Sequence, residues 1–177
     1  MHPLDHFLFC PHCGSRRFSV HDVKSKHCAD CGFTYYANAM SATAAFITRE
    51  VDSRRQLLVV RRANEPARGT LDLPGGFVDM EETGEEGICR EISEETGLTV
   101  AASDLRYLFS LPNLYLYSGM TLHTLDLFYA VDVPPTAVPH PADDASACLW
   151  IDIASLNPAD FGLRSISRAV ERWIRTA

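Results

Sequence analysis

Gly76-Phe-Val-Asp-Met-Glu-Glu-Thr-Gly-Glu-Glu-Gly-Ile-Cys-Arg-Glu-Ile-Ser-Glu-Glu-Thr-Gly-Leu98 decides how this chain is read. These 23 residues hold eight acidic side chains and one base, Arg90. Carboxylates at that density repel one another unless a cation lies among them, and hard cations such as Mg²⁺ choose carboxylate oxygens. The stretch also reads as a helix. Thr83 followed by Glu86 has the spacing of a capping box that opens at Gly84 or Glu85. Gly97 suits the left-handed residue that ends a helix. At about 100° per residue, Ile88, Cys89 and Ile92 form an apolar arc beside an arc of Glu91, Glu94 and Glu95. Gly87 falls within the carboxylate arc, where a glycine costs about 1 kcal/mol against alanine; room for a metal or a phosphate is the expected return. Arg90 and Glu94 are i,i+4 neighbours, so the guanidinium can hold that carboxylate. The rival reading, a solvated acidic helix, is disfavoured by the apolar arc alongside and by glycines at both ends.

These residues resemble the Nudix box, G-x5-E-x7-R-E-U-x-E-E-x-G-U with U a bulky aliphatic. Gly76, Glu82, Arg90, Glu91, Ile92, Glu94, Glu95, Gly97 and Leu98 fill every fixed position, and Leu73-Pro74-Gly75-Gly76 is the usual lead into it. The resemblance implies an α+β Nudix fold, a mixed sheet sandwiched between helices. It also implies a pyrophosphohydrolase that cleaves a nucleoside diphosphate linked to another moiety, using Mg²⁺ or Mn²⁺. In such enzymes the residues matching Glu91 and Glu95, often with Glu94, bind metal; the one matching Arg90 orients them, and the one matching Glu82 is a further acid of the site.

Bulk properties narrow the rest. A chain of 177 residues has room for one domain with a proper core and a small appendage. It has no apolar run of membrane-spanning length, and its first residues lack the pattern of a signal peptide, so the cytoplasm is the expected compartment. A net charge of -7 argues against a general nucleic-acid partner.

Residues 1–37 differ in character from residues 38–177. Cys10-Pro-His-Cys13-Gly and Cys28-Ala-Asp-Cys31-Gly are two Cys-x-x-Cys knuckles, fourteen residues apart. Four thiolates at this spacing suit tetrahedral Zn²⁺, and metal binding would supply folding energy that so short a segment cannot gain by burial. The segment resembles a zinc ribbon. Disulfides are disfavoured in a cytosolic chain. His12 and His27 lie beside the cysteines but are not needed to complete the shell. Arg16, Arg17, Lys24 and Lys26 make a weak basic patch. Ribbon-bearing relatives are often dimers, so a homodimer is compatible with the resemblance.

Residues 38–177 are expected to form the hydrolase domain. Ser41 to Thr48 and Gln56 to Arg61 read as strands joined by a polar turn, the second buried on both faces. Arg61 and Arg62 either reach a phosphate or sit in solvent. Gly75 and Gly76 let backbone approach a ligand closely. Thr99 to Phe109 reads as a strand. Ser110, Pro112 and Ser118 keep the offsets of a motif found in NADH pyrophosphatases, ribbon-bearing Nudix enzymes, with Tyr115 in place of its phenylalanine, although the tryptophan and two prolines of that motif are missing. Tyr115 and Tyr117 either stack on a purine or are strand aromatics. Thr121 to Val133 reads as a long strand whose face carries Asp126, a carboxylate that needs a partner if buried. The proline-rich stretch from Val133 to Ala142 is a loop, expected to act as a flap. Asp144 lies six residues before Trp150, where many Nudix proteins carry an acid that completes the metal shell or acts as base; Asp143 is the second choice. Leu163 to Arg175 closes the chain as a helix.

The expected site thus has Glu94, Arg90 and Asp144 in catalysis and Glu91, Glu95, Glu94 and Glu82 on Mg²⁺. Cys10, Cys13, Cys28 and Cys31 hold Zn²⁺, and Gly75, Gly76, Arg61, Arg62, Tyr115 and Tyr117 contact substrate. The rival function is a binding module that senses a nucleotide or engages RNA; the intact box glutamates favour the enzyme.

Overall fold

A computed structural model describes residues 2–176. Two sheets account for the architecture. A three-stranded antiparallel sheet near the N-terminus is built from β1 (Phe18–Asp22), β2 (Ser25–Cys28) and β3 (Thr34–Tyr36) in that order. Its core is small: Cys10, Phe18 and Cys28, with Phe7 and Phe33 against them.

The second sheet contains β4 (Met40–Val51), β5 (Arg54–Arg62), β6 (Leu71–Asp72), β7 (Arg106–Tyr117), β8 (Met120–Asp132) and β9 (Ala145–Asp152). Its order is β6-β5-β4-β8-β7, with β9 along the other edge of β5. The β4–β8 pair is parallel and the others antiparallel, so the sheet is mixed. Leu57, Leu58, Val59 and Val60 of β5 are all buried, as an apolar run covered on both faces requires.

Each face is covered by a helix. Helix α1 (Gly84–Thr96) packs Ile88 and Ile92 on Ala45, Ile47, Leu58, Tyr129 and Val131. Burying each isoleucine contributes about 1.5–3 kcal/mol. Helix α2 (Arg164–Ile174) packs Ile166, Ala169, Val170 and Trp173 on the opposite face, where Trp173 stacks on Phe46 with ring centroids 4.6 Å apart.

The expected strand over 99–109 is corrected. Residues 102–104 form a single 3-10 turn, and β7 starts at Arg106 and runs on to Tyr117. Pro112 lies within it, opposite Leu125. It is tolerated because β7 is an edge strand, where a missing N–H need not break a ladder.

The chain opens a gap where the site will sit. β4 pairs with β5 only through residues 47–51, then diverges. Residues 74–78 take the vacated edge of β4: Ala45 donates to the Pro74 carbonyl, Thr43 to Gly76 and Val78 to Ser41. At Gly75 a Cβ would stand 2.1 Å from the Thr43 carbonyl oxygen, and at Gly76 it would stand 2.5 Å from Glu91. The close approach that these glycines permit is to β4 and to a carboxylate.

Candidate active site

Local rules place α1. Thr83 is its N-cap: the hydroxyl accepts from the Glu86 N–H while the Glu86 carboxylate accepts from the Thr83 N–H, and Gly97 closes the helix at φ 67°. With the apolar arc fixed on the sheet, Glu91, Glu94 and Glu95 face the gap beside 74–76. Together with Asp143 and Asp144 they line a cleft of about 300 Å³.

One guanidinium organises this wall. Arg90 donates to both oxygens of Glu82 at 3.0 Å, to Glu91 at 2.8 Å, to Glu94 at 3.0 Å and to the Phe77 carbonyl at 3.0 Å. Glu82, expected on the metal, is turned instead to Arg90 and to the Asp79 N–H, and it does not line the cleft. The expected room above Gly87 is filled as well: a Cβ there would meet Glu82 at 3.1 Å and Val78 at 3.5 Å. That glycine lets the Arg90–Glu82 brace close against the helix.

Glu95 is the most deeply placed acid of the helix, only 6% exposed. Burial pushes its carboxyl up to about 8, with Asp72, Glu91 and Asp144 adding repulsion and one N–H from Gly75 opposing. Glu91 is raised too, by burial first, despite Arg90. Carboxyls in this state gain from a cation among them. Their oxygens are the hard donors that Mg²⁺ or Mn²⁺ takes, so the residues fit such an ion at Glu91 and Glu95, with Glu94 at the rim.

The second acidic segment is fastened to the first. His140 and Ala142 donate to the Thr96 and Glu95 carbonyls at the end of α1. Arg49 donates to the Pro135 and Ala137 carbonyls and lies over the Trp150 ring at 4.1 Å. The expected flap over 133–142 is therefore a strap tied at both ends. Asp144 accepts from Asn64 at 2.6 Å.

The arginine pair divides by strand alternation. Arg62 turns into the cleft, donates to the buried Asp72 at 2.6 Å and reaches the Tyr115 hydroxyl at 3.4 Å. Burial lifts Asp72 to about 6 against the pull of Arg62. Arg61 is exposed, donates to the Gly69 carbonyl and lies outside the cleft. Tyr115 lines the cleft, whereas Tyr117 stands 58% exposed near the tip of the hairpin and does not. Asp126 finds the partners its burial demands, the hydroxyls of Thr124 and Ser165. Asn113, which nothing in the sequence pattern singled out, also lines the cleft.

A second group of ligands lies in the small sheet. The sulfurs of Cys10, Cys13, Cys28 and Cys31 are all within 4.8 Å of one another, with Cys10–Cys31 and Cys13–Cys28 at 3.7 Å. Zn–S bonds of about 2.3 Å at tetrahedral angles give sulfur–sulfur edges of about 3.8 Å, so the four fit zinc. Backbone N–H groups, first that of Cys31, bring the Cys28 thiol down to about 6, toward the thiolate that zinc binds. The histidines are engaged elsewhere: His27 bonds the Thr34 hydroxyl and His12 stacks on Phe33. The basic patch does not assemble, since Lys26 is buried against the Phe7 carbonyl and Arg17 pairs with Asp30.

Comparison with known proteins agrees with this geometry. The model of the NUDIX domain matches residues 40–173. An ADP-ribose pyrophosphatase of Methanocaldococcus jannaschii is 31% identical over 123 residues, 70% of each chain. An NAD-capped RNA hydrolase NudC of Chromobacterium violaceum is 30% identical over 168 residues, 93% of this chain and 58% of that protein; the chain thus spans little more than half the length of that relative. Among solved structures, a NUDIX hydrolase from Nitrosomonas europaea superimposes with a TM-score of 0.66 at 19% identity, covering 94% of this chain and 90% of the other. The NUDIX domain of Shewanella oneidensis NrtR, complexed with ADP ribose, gives 0.64 at 19% identity over 80% and 90%. With the box complete, its helix capped as the spacing demands and its acids facing one cleft, this chain belongs to the Nudix family.

Proposed function

We propose that this chain is a cytoplasmic pyrophosphohydrolase that opens the anhydride of a nucleoside diphosphate joined to a second moiety, of the ADP-ribose or NADH kind. A zinc ribbon in residues 1–37 precedes the hydrolase domain of residues 38–177. One observation carries the reading: Glu91 and Glu95 are drawn out of water onto a cleft that other acids share, and both carboxyls are raised. Glu91, Glu95 and Glu94 would hold a divalent ion, which when bound screens the diphosphate and acidifies water. Arg90 fixes the angle of Glu91 and Glu94 and is itself fixed by Glu82. Glu94 and Asp144 each keep one oxygen outside the hydrogen bonds made to Arg90 and Asn64. Either oxygen can take the proton of the attacking water, with Asp143 beside them. Arg62 and Tyr115 form the wall against which the nucleotide lies, and the Gly75-Gly76 backbone forms its floor.

The relatives' names point to two substrate types, ADP-ribose and NAD-capped RNA. The dispersed basic residues of the ribbon favour the small molecule, because RNA binding draws on clustered cations. The test is hydrolysis of ADP-ribose, NADH and NAD-capped RNA with Mg²⁺ or Mn²⁺. AMP release from a small dinucleotide, abolished by chelation, is expected. Tight binding of ADP-ribose with no metal-dependent turnover would instead identify a sensor.

A further inference from the structure

Part of the cleft wall lies on the face of the sheet that α2 covers. Ala42, Ala44, Leu163 and Ile166 make it small and apolar, and Asn113 of β7, opposite Thr124 of β8, lies among them. Asn113 is 6% exposed, and its side-chain oxygen is buried without a hydrogen-bond partner. Its neighbours cannot supply one: Thr124 and Ser165 give their hydroxyls to Asp126. Tyr115, two residues on and so on the same face, also lines the cleft, with Phe77 edge-on to its ring at 5.6 Å. Asp126, Asp72 and Glu95 line the same cleft as Asn113, so this end is continuous with the acids of α1.

A buried acceptor without a donor is costly in the free protein and calls for an explanation; a donor brought by a ligand in the cleft supplies one. A carboxamide presents an acceptor and a donor side by side. It therefore matches a planar edge that presents a donor and an acceptor, such as the amino group and ring nitrogen of adenine or the carboxamide of a nicotinamide ring. We propose that Asn113 is the specificity-determining residue of this cleft and pairs with an amino–ring-nitrogen or amide edge of the substrate's base. The proposal rests on the hydrolase reading only in taking this cleft as the one that binds nucleotide, so it can be tested without turnover.

The probes are four mononucleotides titrated calorimetrically into the full-length protein: AMP against IMP, and nicotinamide mononucleotide against its nicotinate form. Each pair differs only in the edge at issue. Wild type is expected to prefer the amino or amide member of one pair by about tenfold or more. Asn113→Leu, close in volume, should bring that ratio near one. It should also raise Tm by a few degrees by removing an unpaired buried acceptor. Collapse of the AMP/IMP ratio places adenine at Asn113; collapse of the other ratio places nicotinamide there. Ratios unchanged in the variant, or a wild type with no preference, overturns the proposal, and a lowered Tm with unchanged ratios makes Asn113 a packing residue. Asn113→Ser, smaller and still polar, gives the same reading if the leucine variant does not fold. A protein that keeps its AMP preference yet hydrolyses nothing would sink the hydrolase reading and leave this one standing.

Discussion

The four cysteines and the acids of α1 are both groups of metal-ligating side chains, and the chain holds them in opposite ways. The sulfurs are gathered at tetrahedral spacing; among the described residues they are the one group of three or more such ligands drawn within 4.8 Å. The carboxylates share a cleft but stay apart, two of them pulled aside by Arg90. Charge explains the contrast. Cys28 is drawn toward the thiolate, but the Cys13 and Cys31 thiols beside it are pushed up and stay neutral, so the sulfurs can touch without like-charge repulsion. Carboxylates are charged before an ion arrives, so they need a resident cation to hold them near each other. Arg90 plays that part, and Glu95, buried and without a guanidinium partner, is pushed toward the neutral acid by its burial.

The contrast breaks most visibly at the ribbon. The proposed zinc would contribute about 10–16 kcal/mol that is also folding energy; chelation should remove it, and Cys28→Ser should remove part of it. Hydrogen exchange should show residues 1–37 losing protection while α1 and the large sheet keep theirs. Loss of both together would mean that the two units fold as one.

At the acidic site the effect falls on rate rather than on folding. Glu95→Gln should lower kcat about 10²–10³-fold, the range seen when one group stabilising transition-state charge is removed. Its stability carries a second signature. The folded carboxyl titrates near 8 against 4.5 when free, so between those values the native state holds a proton that the unfolded chain has lost. Magnesium-free stability must then fall as pH rises through that window. Asp72, pushed up to about 6, titrates in both proteins, so the zinc-loaded wild type should lose Tm from pH 6 to 8 relative to Glu95→Gln. Magnesium should remove the difference.

Arg90→Lys sharpens the same comparison. Lysine keeps the charge but not the fork that binds three carboxylates at once. Metal affinity measured by Mn²⁺ titration should drop about 10–100-fold, as for other groups that orient ligands. The smallest effect is expected at the cap: Thr83→Ala should cost about 1 kcal/mol in denaturant unfolding and leave the ribbon untouched.

Much of this was legible in residues close together in the chain. The box helix, its cap at Thr83 and its stop at Gly97 are local matters, and so is the two-sided burial of β5. What could not be read depends on residues far apart. Gly75 and Gly76 announced a close approach, but only the divergence of β4 from β5 reveals that the approach is to Thr43 and Glu91. Arg61 and Arg62 look alike until strand alternation sends one inward. Tyr115 and Tyr117 lie on one face of β7, yet the cleft ends before the second. Asn113 gave no signal because an unpaired amide is recognised only by what fails to surround it.

The strap from 133 to 142 has one more consequence. Its N–H groups at His140 and Ala142 clip onto the final turn of α1, two residues from Asp144. Acids nearly fifty positions apart in the chain are thereby mounted on one bracket, and any tilt of the helix carries both. Breathing of the domain can widen or narrow the mouth of the pocket without altering the gauge between its two acidic rails.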